Sequence, residues 1–467
     1  MLDRDRPRHP SGAHVPTLPK SDPRGAAHPE LVCDPGTFRP LPDPAPPAEP
    51  NPLGWPGYAE SKARAVARSG ASESVVAGTA TVCGVPAVVL AFAFGHLGGS
   101  LGRATGDRIE AAHAHARAHG LPVVSLVATG GSRMQEGMLA LTQLQRAARQ
   151  CALTRAAGLP QIAVACDPTT GGGWATLGAG ADVTLALPGA QIGFAGSRVR
   201  PADADPAAYT AEGQRAAGAV DAVVAPDVLR EDVGRRLRLL TARTPDPEPA
   251  PVPAALGRTD LPATGWDAVL RARAPERPHA PAYLDACFTY REELRGDRAG
   301  GVDDGILCGF GAPRPAYGDP GRTVAYVAQC GTATTPAGYR TATRLIRLAG
   351  RLGIPVLTLV DTPGAANGAE AERAGAGPAI AELFVAVAEC PVPVTTLVIG
   401  EGGSGGALAL AAPGNTWVTP DAYFSVIAPE LAAAILKRPV DQVHETAAQL
   451  RLRPQDLVDL GVVRGIA

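Results

Sequence analysis

The chain has 467 residues, which is long enough for two ordinary domains with tails, and 45% of them are hydrophobic. Its formal net charge is −2, so nothing indicates a nucleic-acid-binding surface. No apolar run reaches the roughly 18 residues of a membrane span, and the first residues contain no apolar signal-peptide core, so we expect a cytoplasmic protein without membrane contact.

The first segment, residues 1–56, differs in kind from the rest of the chain. It is crowded with Pro, Asp, Arg and Gly, and it has almost no apolar periodicity. Such a composition cannot bury enough apolar surface to offset the entropy of ordering, so we predict a disordered tail.

Two later segments are near-copies of each other: Leu121–Gly131 (LPVVSLVATGG) and Ile354–Gly364 (IPVLTLVDTPG). A helix-like stretch precedes each copy, Ala104–His119 in the first and Thr341–Leu352 in the second. A β-branched apolar run that ends in glycine is typical of a buried strand followed by a turn. Each copy therefore predicts a helix, a buried strand and a glycine turn.

A second helix and strand follow in both copies. These strands, Gln161–Cys166 and Val394–Ile399, lead into glycine clusters. The clusters contain Gly171, Gly172 and Gly173 in one copy, and Gly402, Gly403, Gly405 and Gly406 in the other. Thr129 and Thr362 are 233 positions apart, as are Gly172 and Gly405. We therefore predict two copies of one α/β domain with parallel, buried strands.

The predicted boundaries follow from this repeat. The N-terminal domain spans 57–243, a linker spans 244–280, and the C-terminal domain spans 281–467. The linker begins with the proline-rich stretch TPDPEPAPVP, which indicates an extended, semi-rigid segment. Two further helices are predicted near the C-terminus, at Val440–Leu450 and Pro454–Leu460.

The eight cysteines are scattered and form no CxxC pair. This pattern argues against a zinc ribbon and offers no disulfide framework, so we expect no bound metal.

The glycine clusters indicate a specific kind of chemistry. Glycine between a strand and a helix lets backbone amides approach a ligand, which makes an oxyanion hole or a phosphate cradle. The alternative is that these glycines only allow close packing of helix and strand. Equivalent clusters in both copies favour the ligand role, and neither cluster is a P-loop or a dinucleotide fingerprint. The chain has no GxSxG elbow, so the backbone donors would act while substrate and cofactor supply the reacting atoms.

Motifs in the first half resemble the β subunit of bacterial acetyl-CoA carboxylase carboxyltransferase, and motifs in the second half resemble its α subunit. The first set is GGSLGRATG (98–106), ATGGSRMQEG (128–137), DPTTGG (167–172) and PGAQIGFAGSR (188–198). The second set is ELRGDR (293–298), Asp303–Asp304, PAGYR (336–340), DTPGA (361–365), IGEGGSGGA (399–407) and YFSVIAPE (423–430). The resemblance covers roughly residues 58–437 and is specific to biotin-dependent carboxyltransferases.

This resemblance implies an α/β fold of two tandem crotonase-like (ClpP/crotonase) domains, each a spiral of β-β-α units. It also implies transfer of CO2 from carboxybiotin to the α-carbon of an acyl-CoA, such as acetyl-CoA to malonyl-CoA in fatty acid biosynthesis. Gly171 and Gly172 would stabilise the thioester enolate oxygen, and Gly405 and Gly406 the urea oxygen of biotin.

The same resemblance assigns the neighbouring binding residues. Gly130, Gly131, Ser132 and Arg133 would line the acyl-CoA side, and Gly364 and Ala365 the biotin side. Arg133 has an alternative role as a helix-start residue paired with Glu136.

The chain also departs from the family pattern. The four-cysteine zinc ribbon of bacterial β subunits is replaced by the proline-rich tail with only Cys33, so no metal or nucleic-acid role is inherited. Cys330–Thr335 is a short loop where the family has a longer basic segment, and Ala366 and Asn367 replace the usual Tyr and Pro. Ser132 stands where Ala is common. These changes concern the biotin pocket and the choice of substrate.

Neither an ATP-grasp segment nor a biotinylation motif is present. The implied partners are therefore a separate biotin carboxylase and a biotin carboxyl carrier protein, and the family implies a homo-oligomer. Two alternatives remain open: a malonyl-thioester decarboxylase, which uses the same enolate-stabilising hole without biotin, and a catalytically silent carboxylase scaffold.

Overall fold

The computed structural model describes residues 28–243 and 246–467. They group into two compact units. The first unit contains residues 28–181, 186–211 and 224–234, and the second contains 182–185, 212–223 and the described residues from 235 to 467.

Sixteen strands are present in the described residues. They are β1 (Arg39–Pro40), β2 (Val75–Val82), β3 (Val85–Phe92), β4 (Val123–Thr129), β5 (Gln161–Thr170), β6 (Val183–Ala186), β7 (Ile192–Gly193), β8 (Ala222–Val223), β9 (Phe288–Glu293), β10 (Ile306–Pro313), β11 (Val324–Gln329), β12 (Val356–Thr362), β13 (Val394–Gly403), β14 (Thr416–Val418), β15 (Tyr423–Ser425) and β16 (Gly465–Ile466).

Sixteen α-helices accompany these strands in the same described ranges. They are α1 (Tyr58–Ser69), α2 (Arg103–His119), α3 (Gly137–Leu141), α4 (Gln143–Ala156), α5 (Gly171–Gly173), α6 (Ala211–Ala216), α7 (Leu229–Thr241), α8 (Gly265–Arg273), α9 (Ala280–Cys287), α10 (Pro336–Leu352), α11 (Ala369–Arg373), α12 (Ala376–Ala388), α13 (Ser404–Leu408), α14 (Pro429–Ile435), α15 (Val443–Gln449) and α16 (Pro454–Asp459). A π-helical turn, Trp174–Gly178, continues α5. Within the described ranges, no helix is both long and apolar enough to cross a membrane.

The sheet of the first unit has a parallel centre. Strands β3, β4 and β5 lie side by side in parallel, β2 pairs antiparallel with β3, and β1 pairs antiparallel with β2. The short strand β7 pairs in parallel with the last two residues of β5. Every residue of β4 is buried, which is typical of a parallel strand covered on both faces.

The sheet of the second unit has the order β16-β14-β13-β12-β11-β10-β9, with β15 beside β13. Strands β11 to β14 are parallel, and β9, β10 and β11 are antiparallel neighbours. An apolar core lies between this sheet and α9, where Leu284 packs with Leu357 and Leu397.

The predicted repeat is present at the level of whole elements. Helices α2 and α10 both have 17 residues and begin at Arg103 and Pro336, which are 233 positions apart. Strands β4 and β12 have seven residues each, and β5 and β13 have ten each, at the same separation. Both helices end at a left-handed glycine, Gly120 (φ +65°) and Gly353 (φ +72°), a conformation that favours glycine.

The strands β5 and β13 run four residues farther than the apolar pattern predicted. In β5 the extra residues include Thr169, which pairs with Thr129 of β4 and with Ile192 of β7. Polar residues can continue a strand when neighbouring strands satisfy their backbone groups.

The structure differs from the predicted disordered tail over residues 28–56. Val32 is fully buried, and Arg39 in β1 pairs with Thr79 of β2. The carboxylate of Asp34 accepts hydrogen bonds from the N–H groups of Cys83 (2.9 Å) and Gly84 (2.8 Å) in the turn between β2 and β3. The rest of the predicted tail, residues 1–27, lies outside the described residues.

The predicted extended linker is also different in the structure, because residues 246–280 pack on the second unit. Residues 244 and 245 lie outside the described ranges. Ala250 is 3% exposed and packs in the core of the second unit, and its carbonyl accepts a hydrogen bond from the Thr395 hydroxyl (2.8 Å). Helix α8 packs against Tyr423 and Leu452. The segment therefore contains a helix, and its apolar residues pack on the second unit.

Candidate active site

The first glycine site consists of the loop Gly130–Ser132 after β4 and the turn Gly171–Gly173 after β5. Gly131 (φ +104°) and Gly171 (φ +63°) both have left-handed backbone conformations. A β-carbon on Gly171 would lie 3.0 Å from the α-carbon of Gly131. The two loops therefore approach backbone to backbone, and side chains at these positions would separate them.

Threonines at the strand ends hold these loops in place. The N–H of Gly131 donates to Thr129 Oγ1 at 3.0 Å. The hydroxyl of Thr170 donates to the Thr129 carbonyl at 3.1 Å, and the N–H of Gly130 donates to the Gly98 carbonyl at 2.9 Å. These bonds fix the orientation of the peptide groups that form the site.

Two backbone donors remain at the first glycine site. Leu101 bridges to the loop through the Gly131 carbonyl and the Arg133 N–H, both at 2.9 Å, so it leaves the N–H of Ser132 unused. The N–H of Gly172 lies in the first turn of a helix, where amides have no intrahelical partner. Among the backbone hydrogen bonds of turns, loops and helix caps in the described ranges, none has the N–H of Ser132 or of Gly172 as its donor. Both can therefore donate to an anionic oxygen.

The second glycine site repeats this construction with Gly364–Ala365 after β12 and Ser404–Gly406 after β13. The N–H of Gly364 (φ +141°) donates to Thr362 Oγ1 at 3.1 Å. Thr334 bridges to the loop as Leu101 does in the first site, through the Gly364 carbonyl (3.2 Å) and the Ala366 N–H (2.9 Å). The two sites thus share one backbone design at equivalent positions.

The glycines of the second site have different steric requirements. Ser404 has φ +58° and takes the position that Gly171 takes in the first site. A β-carbon on Gly406 would lie 2.5 Å from the Ala365 nitrogen, whereas one on Gly405 would meet nothing within 4 Å. Gly406 is therefore required for close approach, and the space in front of Gly405 is open to a ligand.

Arg133, which was predicted to line the acyl-CoA side, has its side chain enclosed in ion pairs. Its side chain is 1% exposed and forms ion pairs with Glu73 and, at 3.3 Å, with Glu136. The alternative pairing with Glu136 is present, and the pairing with Glu73 is one that local sequence did not reveal. Because the guanidinium is fully enclosed, it is a part of the fold beneath the first glycine site.

A buried pair supports the second glycine site. Arg277 Nη2 contacts Asp361 Oδ1 at 2.6 Å and Oδ2 at 2.7 Å, and His279 Nδ1 lies 3.3 Å from Oδ2. A β-carbon on Gly400 would collide with both partners, so glycine is required there. In the sequence, Asp361 is recognisable only as part of DTPGA, and Arg277 gives no signal because its proline-rich surroundings have no helical or strand pattern.

The α-like motifs also meet in space. Asp297 of ELRGDR pairs with Arg340 of PAGYR at 2.6 Å. Asp303 accepts hydrogen bonds from the N–H (2.7 Å) and hydroxyl (2.8 Å) of Thr335, the cap of α10. These contacts fix the start of the helix that precedes β12.

The thiols of Cys166 and Cys287 are not activated for nucleophilic attack. Burial raises the pKa of Cys166 and of Cys287 to about 12, so both stay protonated at neutral pH. In the described ranges, no group of three or more His, Cys, Asp or Glu side chains is arranged to hold a metal ion.

Family comparisons match the two halves separately. Residues 57–249 match the carboxyl transferase domain, and residues 261–467 match the acetyl co-enzyme A carboxylase carboxyltransferase-like family. The acetyl-coenzyme A carboxylase carboxyl transferase subunits beta/alpha of Salinispora arenicola is 40% identical over 459 residues, covering 93% of this chain and 80% of the relative. The chain belongs to the acetyl-CoA carboxylase carboxyltransferase family.

Other members of this family give the same result. The beta/alpha protein of Saccharopolyspora erythraea is 41% identical, covering 88% of this chain and 74% of the relative. A Mycobacterium bovis protein, named a probable biotin-dependent acyl-coenzyme A carboxylase beta3 subunit, is 35% identical, covering 87% of this chain and 82% of the relative. The predicted β-α fusion within this family is confirmed, and the chain is an enzyme component.

Solved structures support the fold. The 12S transcarboxylase structure described as a hexamer assembly superimposes with a TM-score of 0.75 at 20% identity, covering 94% of this chain and 85% of that one. A single-chain, multi-domain long-chain acyl-CoA carboxylase gives a TM-score of 0.72 at 21% identity, covering 94% of this chain and 45% of that one. The predicted fold of two tandem crotonase-like α/β domains is confirmed.

Proposed function

We propose that this family member transfers a carboxyl group from carboxybiotin to the α-carbon of an acyl-CoA. The substrate would be acetyl-CoA, which is converted to malonyl-CoA, or a related acyl-CoA. The observation that supports it best is the duplicated backbone site. In such a transfer two oxygens gain negative charge, the thioester oxygen of the acyl-CoA and the urea oxygen of biotin. Two separate sets of backbone donors match two such oxygens.

The first glycine site would serve the acyl-CoA. The N–H groups of Ser132 and Gly172 can donate to the thioester oxygen as the α-proton leaves and the enolate forms. Donors that are fixed before reaction stabilise this charge without reorganising, an effect of about 3 kcal/mol for one donor. Gly130, Gly131 and Gly171 would allow the thioester to approach the backbone.

The second glycine site fits the biotin ring by its open space and its backbone donor. The N–H of Gly405 lies in the first turn of α13, and no side chain or backbone atom stands within 4 Å of a β-carbon built there. Gly364, Ala365 and Gly406 would form the wall beside this donor. When bound, carboxybiotin supplies the carboxyl group, and the protein holds the urea oxygen.

The partners would be an acyl-CoA, a biotin carboxyl carrier protein and a biotin carboxylase, because a relative that is 35% identical to this chain is named a probable biotin-dependent acyl-coenzyme A carboxylase subunit. We also propose a homo-oligomer, since the related 12S transcarboxylase is described as a hexamer. The cytoplasmic location and the absence of a metal remain part of this proposal.

The test is carboxyl transfer in the reverse direction. Purified protein is incubated with malonyl-CoA carrying a 14C-labelled carboxyl group, with and without free biotin, and both acetyl-CoA and labelled carboxybiotin are measured. We expect acetyl-CoA formation to depend on biotin and labelled carboxybiotin to appear. Rapid acetyl-CoA formation that ignores biotin would instead support the decarboxylase alternative.

The silent scaffold is the least supported alternative. An inactive copy would have no need for close backbone approach, yet both glycine sites retain it. Absence of any malonyl-CoA turnover, with or without biotin, would nevertheless favour the scaffold over both enzymes.

A further inference from the structure

A cluster of buried charges lies directly beneath the first glycine site. It consists of Glu73, Arg133 and Glu136, which are 2%, 1% and 4% exposed. Arg133 Nη1 contacts Glu73 Oε2 at 3.0 Å and Glu136 Oε1 at 3.3 Å, and Arg133 Nη2 contacts Glu73 Oε1. We call these three residues the buried triad.

Glu73 and Arg133 are ionised in spite of their burial. Burial raises the pKa of Glu73, but the charge and hydrogen bonds of Arg133 outweigh burial and hold that pKa well below its usual range. The hydroxyl of Tyr58 donates to Glu136 Oε1 at 2.6 Å, and His96 Nε2 lies 3.7 Å from Glu73 Oε1. The carboxylates therefore have partners besides the single guanidinium.

The triad holds two loops together. Arg133 Nη2 donates to the Ser100 carbonyl at 2.8 Å, and Glu136 Oε2 accepts the N–H of Arg103 at 2.7 Å. A β-carbon on Gly102 would lie 2.6 Å from Glu136 Oε1, so that loop rests directly on the triad. Residues 100–103 and the loop Gly130–Ser132 are thus fastened to one charged centre.

The second glycine site shows that the loop backbone does not itself require an arginine. Ala366 takes the position equivalent to Arg133, and its N–H makes the same bridge, to Thr334, at 2.9 Å. Buried ion pairs are costly to desolvate, and apolar replacements are often equally stable. The triad is therefore better explained by a role in orienting the loop backbone than by a contribution to the free energy of unfolding.

We propose that Arg133, held by Glu73 and Glu136, is a positioning residue that fixes the Ser132 N–H as an oxyanion donor of the first glycine site. The peptide N–H of Ser132 is one residue before Arg133, whose backbone and side chain are both anchored. This inference rests on the proposed function, because it assigns Ser132 to the thioester oxygen.

The experiment compares Arg133→Met and Arg133→Lys with the wild-type enzyme. The double variant Arg133→Met/Glu73→Gln removes one charge of each sign and so leaves the net charge of the triad unchanged. Glu136 then keeps its hydrogen bonds from the Tyr58 hydroxyl and the Arg103 N–H, which favours folding of this variant. Arg146→Met is the matched control, because Arg146 also pairs with two carboxylates, Asp107 and Glu110, but on the surface of α4. The readouts are kcat, KM for acyl-CoA, the thermal midpoint and the infrared carbonyl stretch of the bound thioester.

We expect the wild-type enzyme to lower the carbonyl frequency of the bound thioester, and Arg133→Met and the double variant to lose most of that shift. Their kcat should fall roughly 10- to 100-fold, since a misplaced donor costs that order of rate, while KM changes less than about threefold. The kcat and the carbonyl shift of Arg133→Lys should lie between those of Arg133→Met and those of the wild-type enzyme. Arg146→Met should have the kcat and carbonyl shift of the wild-type enzyme.

Two results would overturn the inference in different ways. Folded triad variants with a wild-type carbonyl shift and kcat would show that the triad is only structural. A wild-type enzyme that binds acyl-CoA without any carbonyl shift would contradict the oxyanion role in the proposed function, and the positioning role with it.

Discussion

Gly171 and Gly131 pack backbone against backbone, with only 3.0 Å between the α-carbon of Gly131 and the place where a β-carbon of Gly171 would lie. This contact joins the ends of two adjacent parallel strands, β4 and β5. It brings the donor motif DPTTGG and the predicted acyl-CoA-lining motif ATGGSRMQEG together in one place.

The first prediction concerns Gly172. A β-carbon there would lie 2.2 Å from Leu144 Cδ2, so Gly172→Val should displace the first turn of α5 and its N–H. We expect acyl-CoA turnover of every kind, including biotin-independent decarboxylation, to fall by roughly two to three orders of magnitude. Steady-state kinetics with circular dichroism would measure this.

Leu144 provides the control for this variant. Adding Leu144→Ala relieves the clash and should restore part of the activity if displacement of the backbone is the cause. Near-normal turnover in Gly172→Val alone would remove Gly172 from the oxyanion assignment.

The second prediction concerns Gly405, whose β-carbon would meet nothing within 4 Å. Gly405→Val should fold normally but fill the open space of the second glycine site. We expect carboxyl transfer to biotin to fall by roughly two to three orders of magnitude, while decarboxylation of malonyl-CoA is spared. The control is Gly377→Val in α12, where a β-carbon also meets open space. Equal loss in both variants, or normal transfer in Gly405→Val, would contradict the biotin-side assignment.

The third prediction concerns the N-terminal segment. Asp34 binds the turn Cys83–Gly84 and the hydroxyl of Thr81 (2.6 Å), so Asp34→Ala should cost about 1–3 kcal/mol of unfolding free energy. Removal of residues 1–50 should lower the thermal midpoint further, because it also removes buried Val32 and β1. Glu49→Ala, at an exposed position, should leave the midpoint unchanged. An unaltered midpoint after truncation would show that the segment adds nothing to stability.

The fourth prediction concerns pH. Burial raises the pKa of Asp221, but the charges of Arg298 and Arg344 outweigh burial and lower it from 3.8 to about 2. A lowered carboxyl pKa stabilises the folded state above the unfolded value and loses that effect as pH falls through the folded value. Wild-type stability should therefore decline between about pH 4 and pH 2.

Asp221→Asn isolates this effect. It should lower the free energy of unfolding at pH 7 by about 3–5 kcal/mol, because two partly buried arginines lose the charge of their fully buried partner. Its stability should also change less between pH 4 and pH 2, as measured by denaturant unfolding. Asp260→Asn is the matched control: a hydrogen bond from Arg258 also lowers the pKa of Asp260 to about 2, but the Asp260 side chain is 59% exposed. Identical pH profiles for wild type and Asp221→Asn would contradict the assignment.

Local sequence determined the repeated elements of this protein. Helix periodicity, apolar runs and strand-end glycines located β4 and β12 and placed α2 within one residue of its observed bounds, but they started α10 five residues too late, at Thr341 instead of Pro336. These features depend on residues near each other in the chain, so the 233-residue repeat and the glycine sites were visible without a structure.

Tertiary structure decided which polar groups are enclosed and which segments dock. Arg133 lies 60 residues from Glu73 along the chain, and Asp34 lies 49 residues from Cys83. No local sequence pattern therefore predicts either contact. The proline-rich segments lack apolar periodicity. Val32 and Ala250 are nevertheless buried, because they pack against residues that are distant in the chain. Burial and ion pairing are properties of segments brought together by folding, and for that reason the triad and the docked segments appeared only in three dimensions.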